Sequence, residues 1–246
     1  MTLPELKASL KLHERRHRSA SIKLTLERRR AHADGLVTTA EAAKIRPLER
    51  RVREERALIH RRREQIRAKE GLSGALFLPG VERIAGNHAG IFLPSPPKLV
   101  WHSTEGSSIA GAVGAYRQHN SWPHFTLDPE SGRLVQHLPM NRAGRALEHR
   151  ANTVDTNRLR VIQVELVGFA KDSAGWSAAR YERIAQLARK IEAANGVPRK
   201  AFAKFTLQGE RLSESAWLHG TGHCGHQHVP GNNHTDPGAL RIDRII

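Results

Sequence analysis

The stretch RVIQVELVGF, residues 160–169, constrains the fold most. Its apolar, largely β-branched run is short and bounded by glycine, which reads as a central β-strand. The segments around it fit a sheet. KLVWHS (98–103) reads as a short strand, and PHFTLD with GRLVQHL as a strand pair across the Glu130-Ser131-Gly132 turn. Helical spacing appears in SSIAGAVGAYRQH and again in WSAARYERIAQLARKIEAANG. In the latter, Tyr181, Ile184, Leu187, Ala188 and Ile191 share a face and Gly196 marks the stop. Strands and helices do not alternate strictly. The expectation for residues 98–246 is therefore an α/β fold with a mixed central sheet flanked by helices.

The first seventy residues have a different character. They hold 20 Lys and Arg against 10 Asp and Glu, which is +10 of the chain's net +16. Thr2 with Glu5 and Thr38 with Glu41 match the helix capping box. Asp34-Gly35 supplies a turn between the two segments. Ile45, Leu48, Val52, Ile59 and Ile66 fall on one seam, broken by Glu55 and Arg62; Leu3, Leu6, Leu10 and Leu24 form a second, interrupted by His13, His17 and Ala20. This predicts a basic helical hairpin over 1–72, each helix roughly 45 Å long. Residues 73–97 are rich in Gly and Pro and read as a linker, with a short helical turn over Val81–Ala85. A polyanionic partner follows from the charge: anionic wall polymer, membrane surface or nucleic acid. With no Trp, Tyr or Phe before residue 71, base stacking is not expected of the hairpin, although phosphate attraction remains open. Self-association through the hairpin is also open.

One cysteine, Cys224, excludes a disulfide framework and a multi-cysteine zinc finger. The N-terminal residues lack the apolar core of a secretory signal, and no apolar run approaches the ~20 residues of a membrane span.

Three separated pieces carry chemistry. His102 closes the strand KLVWHS. Glu165 interrupts the apolar strand 160–169, where a carboxylate is costly unless it is paired or faces a cavity. The loop GHQHVPGNNHTDPG (225–238) holds His226, His228, His234 and Asp236, with His223 just before it. Catalytic zinc takes three N/O ligands and keeps a position for water, so this loop and His102 together could supply a site. From the residues alone, His223, His226 and His228 are all candidate ligands.

The segments VWHSTEG, VELVG and GHQHVPGNNHTDPG, in that order, resemble the zinc-dependent type 2 N-acetylmuramoyl-L-alanine amidases, which share a fold with the peptidoglycan recognition proteins. HSTEGSS, PHFTLD, QHLPMNRAGRAL and HQHVPGNNHTDPGAL are most similar to amidase domains of actinobacteriophage endolysins. The resemblance covers 98–246 and does not extend to residues 1–97. It implies Zn2+ held by His102, His226 and Asp236, with His226 favoured because it stands ten positions before the aspartate and follows Gly225. It implies Glu165 as the catalytic carboxylate and His234 at a position where many members carry Lys. Some relatives use a Tyr ahead of the His-Phe strand, where this chain has Pro123. Thr104, His124, Asn157 and His228 become candidate cleft contacts. The implied partner is bacterial peptidoglycan. The implied setting is a phage endolysin made in the host cytoplasm without a signal peptide and released to the wall by a holin-type route. A bacterial or prophage amidase, or a non-catalytic peptidoglycan-recognition module, is the alternative.

Overall fold

The computed structural model describes residues 2–31, 38–69, 77–149 and 153–246. The chain divides into two units, Met1–Ser73 and Gly74–Ile246.

The first unit is a pair of helices, α1 (Leu3–Ala31) and α2 (Thr39–Lys69). Both capping boxes form. The Thr2 amide donates to Glu5 Oε2 at 2.6 Å and the Thr38 amide to Glu41 Oε2 at 2.8 Å. These satisfy amides that a helix start leaves without intrahelical partners. Leu6, His13 and Ala20, seven residues apart, are buried. One polar interruption of each seam meets the other: His13 Nδ1 lies 2.7 Å from Glu55 Oε2; the second interruption of α2, Arg62, donates from Nε to Ser9 Oγ at 3.1 Å. With Arg28 bonded to Glu49, these contacts run antiparallel. A slip in register would separate the buried His13–Glu55 pair, so the seam's breaks help to specify its alignment. The Asp34-Gly35 turn and the side chains of Leu3 and Ile66 lie outside the described residues.

In the second unit six strands form one mixed sheet, in the order β1-β4-β3-β5-β2-β6. The strands are β1 (Glu82–Arg83), β2 (Lys98–Ser103), β3 (Phe125–Leu127), β4 (Leu134–Gln136), β5 (Val161–Leu166) and β6 (Gly222–Gly225). β2 runs parallel to both β5 and β6, β3 is parallel to β5, and β4 is antiparallel to β3. The helices are α3 (Ile109–His119), α4 (Ala178–Asn195) and α5 (Glu214–His219). β5 is buried along its whole length, as a central strand should be.

Alternation along the strands assigns the faces. Leu99, Trp101, Ile162, Val164 and Leu166 pack with Tyr181, Ile184, Leu187, Ala188 and Ile191 of α4. Val100 and Val161 pack on the opposite side with Trp217 of α5, Leu147 and Val229. Serine caps start α3, α4 and α5, and Gly196 ends α4 at φ 66.

The segment 77–97 is not a free connector. Leu78 lies in the α4-side core, and Phe92 packs against that core and stacks on His124. The 89–90 backbone bonds to Ala143 in both directions. The helical turn expected over Val81–Ala85 is instead β1, paired parallel to β4. The open edge of β4 offers backbone partners, and pairing with them outweighs the weak local preference of two polar residues.

Candidate metal centre

The site arises from strand register. His102 and Glu165 are direct partners on β2 and β5. Trp101 pairs with Gly225 at the end of β6, so His226 emerges beside His102. Three adjacent parallel strands thus deliver their functional residues to one carboxyl-terminal edge, the usual crevice of such sheets.

The loop after β6 then returns Asp236 to the same point. Gln227, fully buried, holds this loop closed. Its amide donates to the Asp236 carbonyl at 2.8 Å, Nε2 donates to Gly238 O at 2.6 Å, and Oε1 accepts from the Thr206 amide at 3.4 Å. Asn232 fixes the loop's interior, donating to His226 O at 3.0 Å and also to Val229 O, while accepting from the His234 amide at 2.6 Å. Gly225 is required by close approach, since a Cβ there would lie 2.6 Å from Pro237 Cδ.

His102, His226 and Asp236 are buried, and their donor atoms all lie within 4.8 Å of one another. His102 Nδ1 stands 3.1 Å from His226 Nδ1 and 3.6 Å from Asp236 Oδ2; His226 Nδ1 stands 3.1 Å from Asp236 Oδ1. Two imidazole nitrogens and a carboxylate converging on one point can hold a metal ion. Among the described residues this is the only such group. Glu165 Oε1 is 3.7 Å from His102 Nδ1, and its Oε2 is buried with no hydrogen-bond partner among the described residues. His234, about half exposed, stacks on His226 with ring centroids 4.2 Å apart and places Nδ1 3.5 Å from Asp236 Oδ1.

The electrostatics separate these groups. Burial pushes Glu165 well above the usual carboxylate range, and the charges of Asp236 and Glu105 push the same way. Burial and the neighbouring His226 hold His102 well below the usual imidazole value, so it is a neutral donor. Burial opposes ionisation of Asp236, yet His226, His234 and His102 together keep its carboxyl well below the usual range. The hydrogen bond to Asp236 raises His234. Two nearby carboxyls thus differ sharply in proton affinity, a division suited to one metal ligand and one proton carrier.

Three expected cleft contacts are placed in the scaffold instead. His124 accepts at Nδ1 from the Gln163 amide (3.0 Å) and contacts Arg142 O through Nε2 at 2.7 Å. Asn157 is bonded to both backbone groups of Leu147 and to Gln163 Nε2. His228 accepts from the Gly225 amide at 2.8 Å and contacts Lys204 O at 2.9 Å. Their polar atoms saturate buried backbone groups, which the sequence could not reveal because the partners lie in other loops. Thr104, two residues after His102, is half-buried; its hydroxyl donates to Gly106 O and accepts from the Gly168 amide. His223 is also scaffold: Trp101 Nε1 donates to its Nδ1 at 3.2 Å, and its Nε2 is 3.0 Å from Glu192. Sequence reasoning missed Gln227, whose setting inside the histidine-rich loop was the available signal.

A sequence profile for N-acetylmuramoyl-L-alanine amidases (Amidase_2) matches residues 93–239. Similar solved structures include the Staphylococcus aureus hydrolase AmiA in complex with its ligand, 14% identical, covering 65% of this chain and 74% of that one at TM-score 0.41. Another is Citrobacter freundii AmpD, 15% identical, covering 69% and 90% at TM-score 0.41. A search of curated proteins finds no match. The profile spans more than half of the chain, and the chain therefore belongs to the N-acetylmuramoyl-L-alanine amidase family.

Proposed function

We propose that the second unit hydrolyses the amide between the lactyl group of N-acetylmuramic acid and the L-alanine of the peptidoglycan stem, using zinc held by His102, His226 and Asp236. The observation that carries this reading is the convergence of those three donors beside a protonatable Glu165. Tetrahedral donors about 2.0–2.2 Å from zinc stand roughly 3.3–3.6 Å apart; the two imidazole nitrogens here are 3.1 Å apart, with one Asp236 oxygen 3.1 Å from His226 Nδ1 and the other 3.6 Å from His102 Nδ1. Such an ion would acidify a water molecule to a pKa of about 7 and polarise the scissile carbonyl. Glu165 accepts the proton of the attacking water and returns it to the departing amine of L-alanine. The raised proton affinity that burial gives it suits both steps. His234, when protonated, donates to the developing oxyanion in place of the lysine of many relatives.

The test is release of L-alanine amino termini from purified cell wall, with and without a chelator. Release that stops on chelation and returns with zinc is expected. No release with zinc present would favour the non-catalytic recognition module.

We further propose that the protein is a phage endolysin, made in the host cytoplasm and given access to the wall by a holin-type protein, with the hairpin as an arm for anionic wall polymer. The motif resemblance and the hairpin's charge support this. Lys11, Arg15 and Arg18 line one groove of α1 with the exposed Ile22 and Leu26, on the side away from the buried Leu6, His13 and Ala20. Expression in an actinobacterium should lyse cells only with a holin co-expressed. Charge reversal at Lys11, Arg15 and Arg18 should make wall binding of the full chain weaker and less salt-dependent. Lysis without a holin would point to another route, and unchanged wall binding would remove the hairpin's role.

A further inference from the structure

The exit of β2 carries a feature that the three donors and Glu165 leave unexplained. Glu105 adopts φ 48, a left-handed conformation unfavourable for an L residue and free for glycine. Its carboxylate ties the end of β2 to the turn that follows β5. Ser103 Oγ donates to Glu105 Oε1 at 2.6 Å, and the Ala170 amide donates to the same oxygen at 2.8 Å. Ser103 is the next link, since its amide donates to Asp236 Oδ2 at 3.3 Å. The other oxygen of Asp236 faces His226 and His234. The chain Glu105–Ser103–Asp236 therefore sets the rotation of the carboxylate about the point where the donors converge. The bridge between Gly106 and Gly168 and the Gly168 amide on Thr104 Oγ1 (3.4 Å) brace the same two exits. Strain in a non-glycine residue at such a place persists when its surroundings over-determine it.

We infer that Glu105 is a positioning residue of the metal centre: through Ser103 it orients Asp236 for the ion. This rests on the proposed zinc reading. Outer partners of metal ligands typically contribute about 10–100-fold in affinity. The measurement is zinc affinity of the full chain by competition with a chromogenic chelator, alongside thermal unfolding of the metal-free protein. Glu105→Ala should bind zinc about 10–100-fold more weakly. Glu105→Gln, whose amide oxygen can still accept from Ser103 and Ala170, should bind close to native. Glu105→Gly takes φ 48 without strain, so its metal-free unfolding midpoint should stay near native while its zinc affinity falls like that of the alanine variant. Native-like zinc affinity in Glu105→Gly, or a loss in Glu105→Gln as large as in Glu105→Ala, overturns the inference. A metal-free Glu105→Gly protein unfolding far below native assigns the residue to the scaffold and also overturns it. A native chain that binds no zinc removes the metal reading itself, a result distinct from those.

Discussion

Glu165→Ala should reduce wall hydrolysis by about 10²–10⁴-fold, the usual contribution of a positioned acid–base group, while zinc remains bound. The three converging donors are other residues, so the ion's hold does not depend on this carboxylate. Glu165 occupies the middle of the sheet beside His102, with one oxygen lacking a hydrogen-bond partner among the described residues. A carboxyl in that position opposes folding whenever it is ionised. The alanine variant should therefore unfold no earlier than the native protein at neutral pH. Glu165→Gln keeps the shape and cannot relay the proton, so it should be equally inactive. Activity on purified wall, zinc content and unfolding midpoint together form the test. Retained hydrolysis in both variants would mean that the proton moves through another group.

Removing a donor should have a different signature. Asp236→Ala or His226→Ala should lose zinc and fall to the activity of chelator-treated native protein. Two of the three donors then remain, too few for the three-ligand arrangement of catalytic zinc. His228→Ala and His223→Ala are the controls. The first strips the buried Gly225 amide of its acceptor and the second strips the Trp101 indole. An unsatisfied buried group costs roughly 1–3 kcal/mol. Those variants should be less stable yet still bind zinc. If His228→Ala released the ion while His226→Ala kept it, the ligand set would have to be redrawn.

β5 and α4 were readable because their apolar periods are long and undisturbed. β6 was not: Gly-His-Cys-Gly has no strand period, and these residues extend because the edge of β2 offers them partners from Lys98 to Trp101. The expected turn over Val81–Ala85 gives way to β1 for the same reason, the partners offered by β4. Within the site, His102 and Glu165 stood out as polar residues on apolar strands. Their adjacency did not, since it depends on the β2–β5 register. His124, Asn157 and His228 show the converse: polar residues near a functional motif looked available, and only the fold shows that backbone groups already occupy them.

The latch at Gln227 bears on how the enzyme would acquire its ion. Two of its bonds, to Asp236 O and Gly238 O, close the base of the loop, and the third ties it to Thr206, so protein–protein bonds hold the segments of His226 and Asp236 together. Many small zinc domains fold only around their ion. On the proposed zinc reading, loading and folding would be separable events: the metal-free chain should keep the loaded one's native fold, and chelation should act as a reversible off-switch on an otherwise intact molecule.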